Sequence, residues 1–123
     1  MAVMQSRDTR TVIAGADLSA AQFKFVKLDA AAEAVLAGDG ESAFGVCIVG
    51  AAEDNAATVV VTGKTMVETG AAVTAGGAVA SDAAGLCVDA ASTDIVMGYA
   101  TEAAAGANLI IAIELIQGGN AAA

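Results

Sequence analysis

The sequence predicts an all-β domain, a small β-sandwich or β-barrel with an extended N-terminal arm. Three observations lead there. Short runs rich in Val, Ile, Thr and Phe recur along the chain, split by Gly, Asp, Asn and Ser, and regularly spaced strands with turn residues between them mark sandwiches and barrels. The last run, Leu109 to Ile116, puts large aliphatic residues at 109, 111, 113 and 115, the period of two that gives a strand one core-facing side. The length of 123 residues fits one domain.

The elements follow in chain order. Met1 to about Arg10 is polar and reads as irregular. Strands are expected at Thr11–Ala14, Gln22–Leu28, Ala34–Leu36, Ala43–Val49, Thr58–Thr62, Lys64–Val67, Ala78–Ala80, Leu86–Asp89, Ile95–Ala100 and Leu109–Ile116. In the fourth, Phe44, Val46 and Ile48 are expected to share a face. Gly38-Asp39-Gly40 reads as a turn. Ala80 to Gly85 reads as a hairpin loop closed by glycine. Asp29 to Gly38 allows two structures. One is a short helix with Asp29 as N-cap and Gly38 as its stop. The other is a hairpin in which Phe25–Leu28 and Val35–Leu36 pair around an alanine-rich turn. Thr101–Asn108 reads as a loop with room for one helical turn.

Composition limits the core. The chain is 57% hydrophobic, but much of that is alanine, and only 14 Val, 7 Ile, 6 Leu and 3 Phe supply bulk. Alanine buries little area. Close packing of elements and burial between subunits are the two remedies, and small domains often use the second. Cys47 and Cys87 read as two buried small apolar residues, a single disulfide being the alternative.

Charge excludes several functions. Five basic residues stand against fourteen acidic ones, net −9, so the basic face that a nucleic-acid binder needs is missing. An anionic membrane surface is disfavoured for the same reason. The longest uncharged stretch, Thr69–Ser81, is 13 residues of mostly Gly, Ala and Thr, too short for a spanning helix. No signal-peptide pattern opens the chain. The basic residues all lie at or before Lys64, which leaves the first ten residues locally positive on an acidic body. That arm is either a solvated terminus or a segment that docks on an acidic partner.

The catalytic motifs are weak. The chain has no His, so serine triads and Cys–His dyads cannot form. Thr58-Val-Val-Val-Thr-Gly63-Lys64-Thr65 ends like a phosphate loop but lacks its first glycine, and its β-branched residues read as a strand and turn. Asp82, Asp89 and Asp94 are close in sequence; we read them as turn acids, the alternative being carboxylate acid–base chemistry. No cofactor or metal is expected.

The order of several blocks is more specific than any one of them. These are Phe25-Val-Lys-Leu-Asp29, Val35-Leu-Ala-Gly-Asp-Gly-Glu41, Ala43-Phe-Gly-Val46, Ala57-Thr-Val-Val-Val-Thr-Gly63, Gly70 to Gly85, Ile95 to Ala103 and Gly106-Ala-Asn-Leu-Ile-Ile111. From about Gln22 to Gln117 the sequence resembles the capsid decoration, or cement, proteins of tailed bacteriophages. The resemblance implies a small β-sandwich, β-barrel or β-tulip-like domain on the outer surface of the virion capsid. It also implies trimers at three-fold and quasi-three-fold sites of the major capsid protein, with no enzymatic activity. In related proteins an N-terminal arm adds a strand to the capsid subunit. Carried over, the capsid-contacting residues are Ala2, Val3, Met4, Gln5, Ser6, Arg7, Asp8, Thr9, Arg10, Thr11 and Val12. The expected division is an arm over 1–12, a single decoration domain over 13–118 and a tail over 119–123. Relatives carry Gly and a Lys-like residue in the turn after Leu28-Asp29, where this chain has Ala31, Ala32 and Glu33. We take the hairpin there, with the short helix as the alternative. The competing function is a β-rich head-fibre base or surface-binding module.

Overall fold

The computed structural model describes residues 7–117. Residues 1–6 of the expected arm and the expected tail at 119–123 lie outside that range. Within it the chain is all β, with strands β1 (Arg7–Ile13), β2 (Phe25–Leu28), β3 (Ala34–Leu36), β4 (Gly45–Val49), β5 (Ala56–Glu68), β6 (Ala78–Ser81), β7 (Cys87–Asp89), β8 (Gly98–Ala100) and β9 (Ile110–Leu115). They form one sheet in the order β3-β2-β4-β5-β9-β8-β6-β7, with β1 also on β5. Every strand-to-strand ladder is antiparallel.

The spine is β5. The sequence suggested two strands broken at Gly63, but Thr58–Thr62 and Lys64–Val67 are halves of one 13-residue strand. Gly63 carries the chain through at φ 100°, a conformation that a residue with a Cβ resists. On one edge β5 holds β1, from Ala56 to Gly63. On the other it holds β4 and, beyond it, β9 from Gly63 to Glu68, so that Gly63 is flanked by Arg7 on one side and Leu115 on the other. Opposite the step from Asp8 to Thr9, β5 advances from Thr62 to Val60. The extra residue is a β-bulge, which shifts the alternation of faces. Before it, Val59 and Val61 face one core and Val60 the other; beyond it, Val67 lies in the core of Val60.

Two cores result. The larger gathers Phe25, Val46, Val60, Val67, Val79, Met97, Ile111, Ile113 and Leu115 inside the curl of the sheet. The smaller packs Leu18, Val26, Cys47, Val59 and Val61 beneath the segment after β1. The sheet curls into a half-barrel. Backbone bonds close its ends: Phe25 N–H donates to Gly85 O (2.7 Å), Gly40 N–H to Ser81 O (2.8 Å) and Ile95 N–H to Gly40 O (3.0 Å). The Gln117 amide donates to Phe44 O (2.8 Å) and Val61 O (2.7 Å), fastening the end of the described chain across β4 and β5.

The segment 29–38 is a hairpin. Val26, Lys27 and Leu28 pair with Leu36, Val35 and Ala34. Asp29 does not cap a helix. Its Oδ1 accepts from Ala31 N–H (2.9 Å) and Glu33 N–H (3.0 Å) within the turn, a competition typical of short polar side chains. Ala32 takes φ 60° there. Lys27 bonds Glu41 at 2.8 Å; this ion pair, with the Gly38 N–H, holds the Glu41 carboxyl below its ordinary range. The Asp82 loop is also a hairpin, joining β6 to β7, and Thr101–Asn108 is a loop.

Several expectations need correction. Arg7–Arg10 is strand, not irregular chain, so the boundary expected after residue 12 falls inside β1. Phe44 precedes β4 and packs on the smaller core, while Val46 and Ile48 belong to the larger. Leu109 precedes β9 and is exposed, unlike Ile111, Ile113 and Leu115. Bonds made by neighbouring loops decide these ends, and periodicity does not register them.

Both cysteines are buried and free, so the buried-thiol reading holds and no disulfide links them. Burial, with the negative charges of Asp89 and Asp82 nearby, pushes the Cys87 thiol up to about 12; burial also raises Cys47. A thiol held neutral in the fold contributes stability below its unfolded value near 9.0, and that contribution is lost as pH rises toward 12. Chemical denaturation at pH 8 and pH 10.5 should therefore show lower stability at the higher pH. The drop should be smaller in Cys87→Ala, each variant being compared with its own pH 8 value. Neither thiol should react with a thiol reagent at pH 8 until the protein unfolds.

Two glycines let backbones touch. A Cβ on Gly45 would strike the carbonyl oxygen of Val60, and one on Gly98 the carbonyl oxygen of Glu114. Rigid backbone cannot yield as a side-chain tip can. Gly45→Ala and Gly98→Ala should each destabilise by about 1–3 kcal/mol, read as a lower midpoint in urea, whereas Gly106→Ala, which meets nothing within 4 Å, should be near neutral.

Candidate interaction surface

Strand β1 is unusual in what it leaves open. Arg7 to Ile13 pairs with β5 through the backbone, yet Asp8, Thr9, Arg10 and Thr11 are all exposed and Ile13 is 43% exposed. Val12 alone leans on the smaller core. A strand normally buries at least one face; β1 is held mainly by its ladder. Its second edge has no strand partner among the described residues.

The direction of that edge can be worked out. Ala14 donates its N–H to Asn55 O and accepts Asp54 N–H on its carbonyl, both at 2.8 Å. The polar groups of Ala14 thus face the β5 side. Alternation along a strand turns those of Thr11, Thr9 and Arg7 the other way, outward. Just beyond, Gly15 N–H donates to Ala34 O (2.8 Å) and Ala14 bridges Ala34, so β3 covers the end of this edge but not Arg7–Thr11.

The side chains add charge of both signs. Asp8 Oδ2 accepts from the Thr62 hydroxyl across the ladder (3.2 Å). Arg10 Nη1 donates to Thr9 O (2.9 Å). Of the eleven residues singled out from sequence, the structure brings Arg7 to Val12 into one strand; Ala2 to Ser6 lie outside the described residues.

A second surface was not foreseen. On the outer side of β5, β9 and β8, Met66 pairs with Ala112, Glu68 with Ile110, and Glu114 with both Lys64 and Tyr99. Met66, Ile110 and Tyr99 are each nearly half exposed. The only sequence signal was that the even positions of the last strand mix Ile with Glu. Which strands stand beside it cannot be read from that pattern.

The three aspartates serve turns. Asp82 Oδ1 accepts from Ala84 N–H (2.8 Å) and Leu86 N–H (2.9 Å). Asp89 accepts from the backbone N–H and hydroxyl of Thr74, both at 3.0 Å. Asp94 Oδ2 accepts from Ala91 N–H (3.0 Å). Among the described residues no three His, Cys, Asp or Glu side chains are grouped to hold a metal ion. The phosphate-loop look-alike at 58–65 is uninterrupted β5.

Comparison with known proteins gives this geometry its context. The chain is similar in fold to the head fiber gp8.5 N base of bacteriophage phi29, a crystal structure, with TM-score 0.72 and 14% identity over 94% of this chain and 98% of that one. No curated protein sequence matches it. A family model described as phage cement protein matches residues 4–115, and the chain belongs to that family.

Proposed function

We propose that this phage cement protein coats the outer surface of a phage head as homotrimers, seated at three-fold and quasi-three-fold sites of the major capsid protein, and reinforces the shell without catalysing a reaction. Family membership over residues 4–115 carries the reading; it makes the chain a structural component of the phage head, at the capsid surface.

The molecule's physics is consistent with the finer claims. A sheet whose cores rest largely on Val and Ala leaves Met66, Ile110 and Tyr99 exposed on one face, and burial of such a face against neighbouring subunits would add apolar contact. A cyclic trimer is a closed arrangement for that burial. Many copies on one shell turn a modest affinity per site into firm attachment.

The segment Ala2–Val12 is proposed as the contact with the capsid subunit, and β1 divides it. Arg7–Val12 is committed to the chain's own sheet. In this reading the residues before Arg7 add a strand to the capsid protein, where main-chain bonds supply affinity with little demand on side chains.

A second reading, a base on which a head fibre stands, draws on the fold shared with the phi29 head fiber base. What stands above the domain separates the two: a fibre base carries a fibre projecting from the head and a cement protein ends at the shell, and reconstruction of the virion distinguishes them.

Deleting residues 2–6 should abolish binding to heads, measured by co-sedimentation, while the purified protein keeps its β-sheet circular dichroism and its thermal midpoint. Deleting residues 2–12 should lower that midpoint as well, because it strips β1 from β5. Undiminished head binding by the 2–6 deletion would remove the proposed contact.

A further inference from the structure

The outer edge of β1 is self-complementary. Its sequence from Arg7 to Thr11 is Arg-Asp-Thr-Arg-Thr. Laid antiparallel against itself about Thr9, it places Asp8 opposite Arg10 of the second copy, and Arg10 opposite Asp8. Thr9 then faces Thr9, and Arg7 faces Thr11. Directly opposed residues must both face outward or both face inward, and among the registers that meet this condition only this one sets Asp8 opposite an arginine.

The backbone alternation fits the same register. The outward N–H and C=O groups belong to Thr9, Arg7 and Thr11, as the bonds of Ala14 establish. Thr9 and its mate would therefore exchange reciprocal N–H···O bonds on the axis, the mate's N–H replacing the Arg10 guanidinium that Thr9 O accepts in the single copy and releasing Arg10 toward Asp8, with an Arg7–Thr11 exchange on either side. Asp8 and Arg10 would then form a pair without ladder bonds, the class in which opposed side chains come closest, with Cα atoms about 4.5 Å apart. Both are exposed and on the same side of the strand.

β1 carries charges of both signs, Asp8 and Arg10, on its exposed side. An open edge with exposed faces is also the feature that pairs most readily with another chain.

We propose that β1 of one copy pairs antiparallel with β1 of a second copy about a two-fold axis at Thr9. The proposal goes beyond capsid attachment and does not depend on it. On a shell of trimers, such a contact would tie neighbouring trimers to one another, while residues before Arg7 engage the capsid subunit. A pairing this short belongs to the weak class of interfaces, and repetition over a lattice makes it effective.

Disulfide trapping of the purified full-length chain tests it. Thr9 pairs with itself, so Thr9→Cys brings two thiols together; a hydrogen-bonded pair sets Cα atoms about 5.5 Å apart, within disulfide reach. Thr11→Cys is equally exposed but faces Arg7. The expected result under mild oxidant is dimer forming several-fold faster with Thr9→Cys than with Thr11→Cys, the native thiols being buried. Adding Arg10→Asp to Thr9→Cys should slow trapping to the Thr11→Cys level, and adding Asp8→Arg to that variant should restore it. Circular dichroism melts of each variant establish that the sheet is intact, and only variants that retain it are compared. Equal trapping at 9 and 11 would overturn the proposal. So would a double reversal that stays slow, since an edge built for a different chain gains nothing from exchanging its own charges. Because no heads are present, the result is independent of capsid binding.

Discussion

Backbone pairing along β5 is the constraint from which the rest of the molecule follows. One strand of 13 residues holds β1 on one edge and, on the other, β4 and β9 end to end. Strands with few bulky side chains still gain from ladder bonds, because those depend on main chain alone. The bulge opposite Asp8 and Thr9 then lets one spine serve two cores, by exchanging which face its alternate residues present. Without that shift, the second half of β5 would turn its apolar residues away from the core that its first half builds with Val60.

Small residues and turn carboxylates support this arrangement. Gly45 and Gly98 sit where a neighbouring carbonyl leaves no room for a Cβ, so the sheet draws close where the chain has little bulk to fill a gap. Asp29, Asp82 and Asp89 each take backbone N–H groups that the curl would otherwise leave unpaired. Thr69, wholly buried, ties in the long loop before β9: its hydroxyl donates to Gly106 O at 2.7 Å and accepts from Leu109 N–H at 3.1 Å. Burial of a hydroxyl is tolerable because both of these bonds are made. The acids that looked like possible chemistry in the sequence are thus part of how the loops are held.

The same economy shapes the surface. A chain that uses its main chain for cohesion can leave most of a strand's side chains in water, as β1 does from Asp8 to Thr11. Its ladder with β5 fixes its direction. The mixed apolar face over β5, β9 and β8 lies on the other half of the spine.

Much of the fold was legible in the sequence because strand periodicity and turn chemistry are local. Val-rich runs bounded by Gly and Asp revealed the all-β class. Asp82 with Gly85 marked the β6–β7 hairpin, and the ordered blocks pointed to the family. The interaction surface was legible only in part: the first ten residues stood out by charge and the family resemblance extended the segment to Val12, but the strand character of Arg7–Arg10 did not show, since Arg7-Asp8-Thr9-Arg10 carries no apolar alternation. What made it a strand was the free edge of β5, a partner almost fifty residues away in sequence. The fusion of two expected strands through Gly63 and the side taken by Phe44 were decided in the same way. Composition and local pattern determined that this chain would be a sheet; which edges meet, and which are left open, depended on pairings between distant segments that exist only once the sheet has curled.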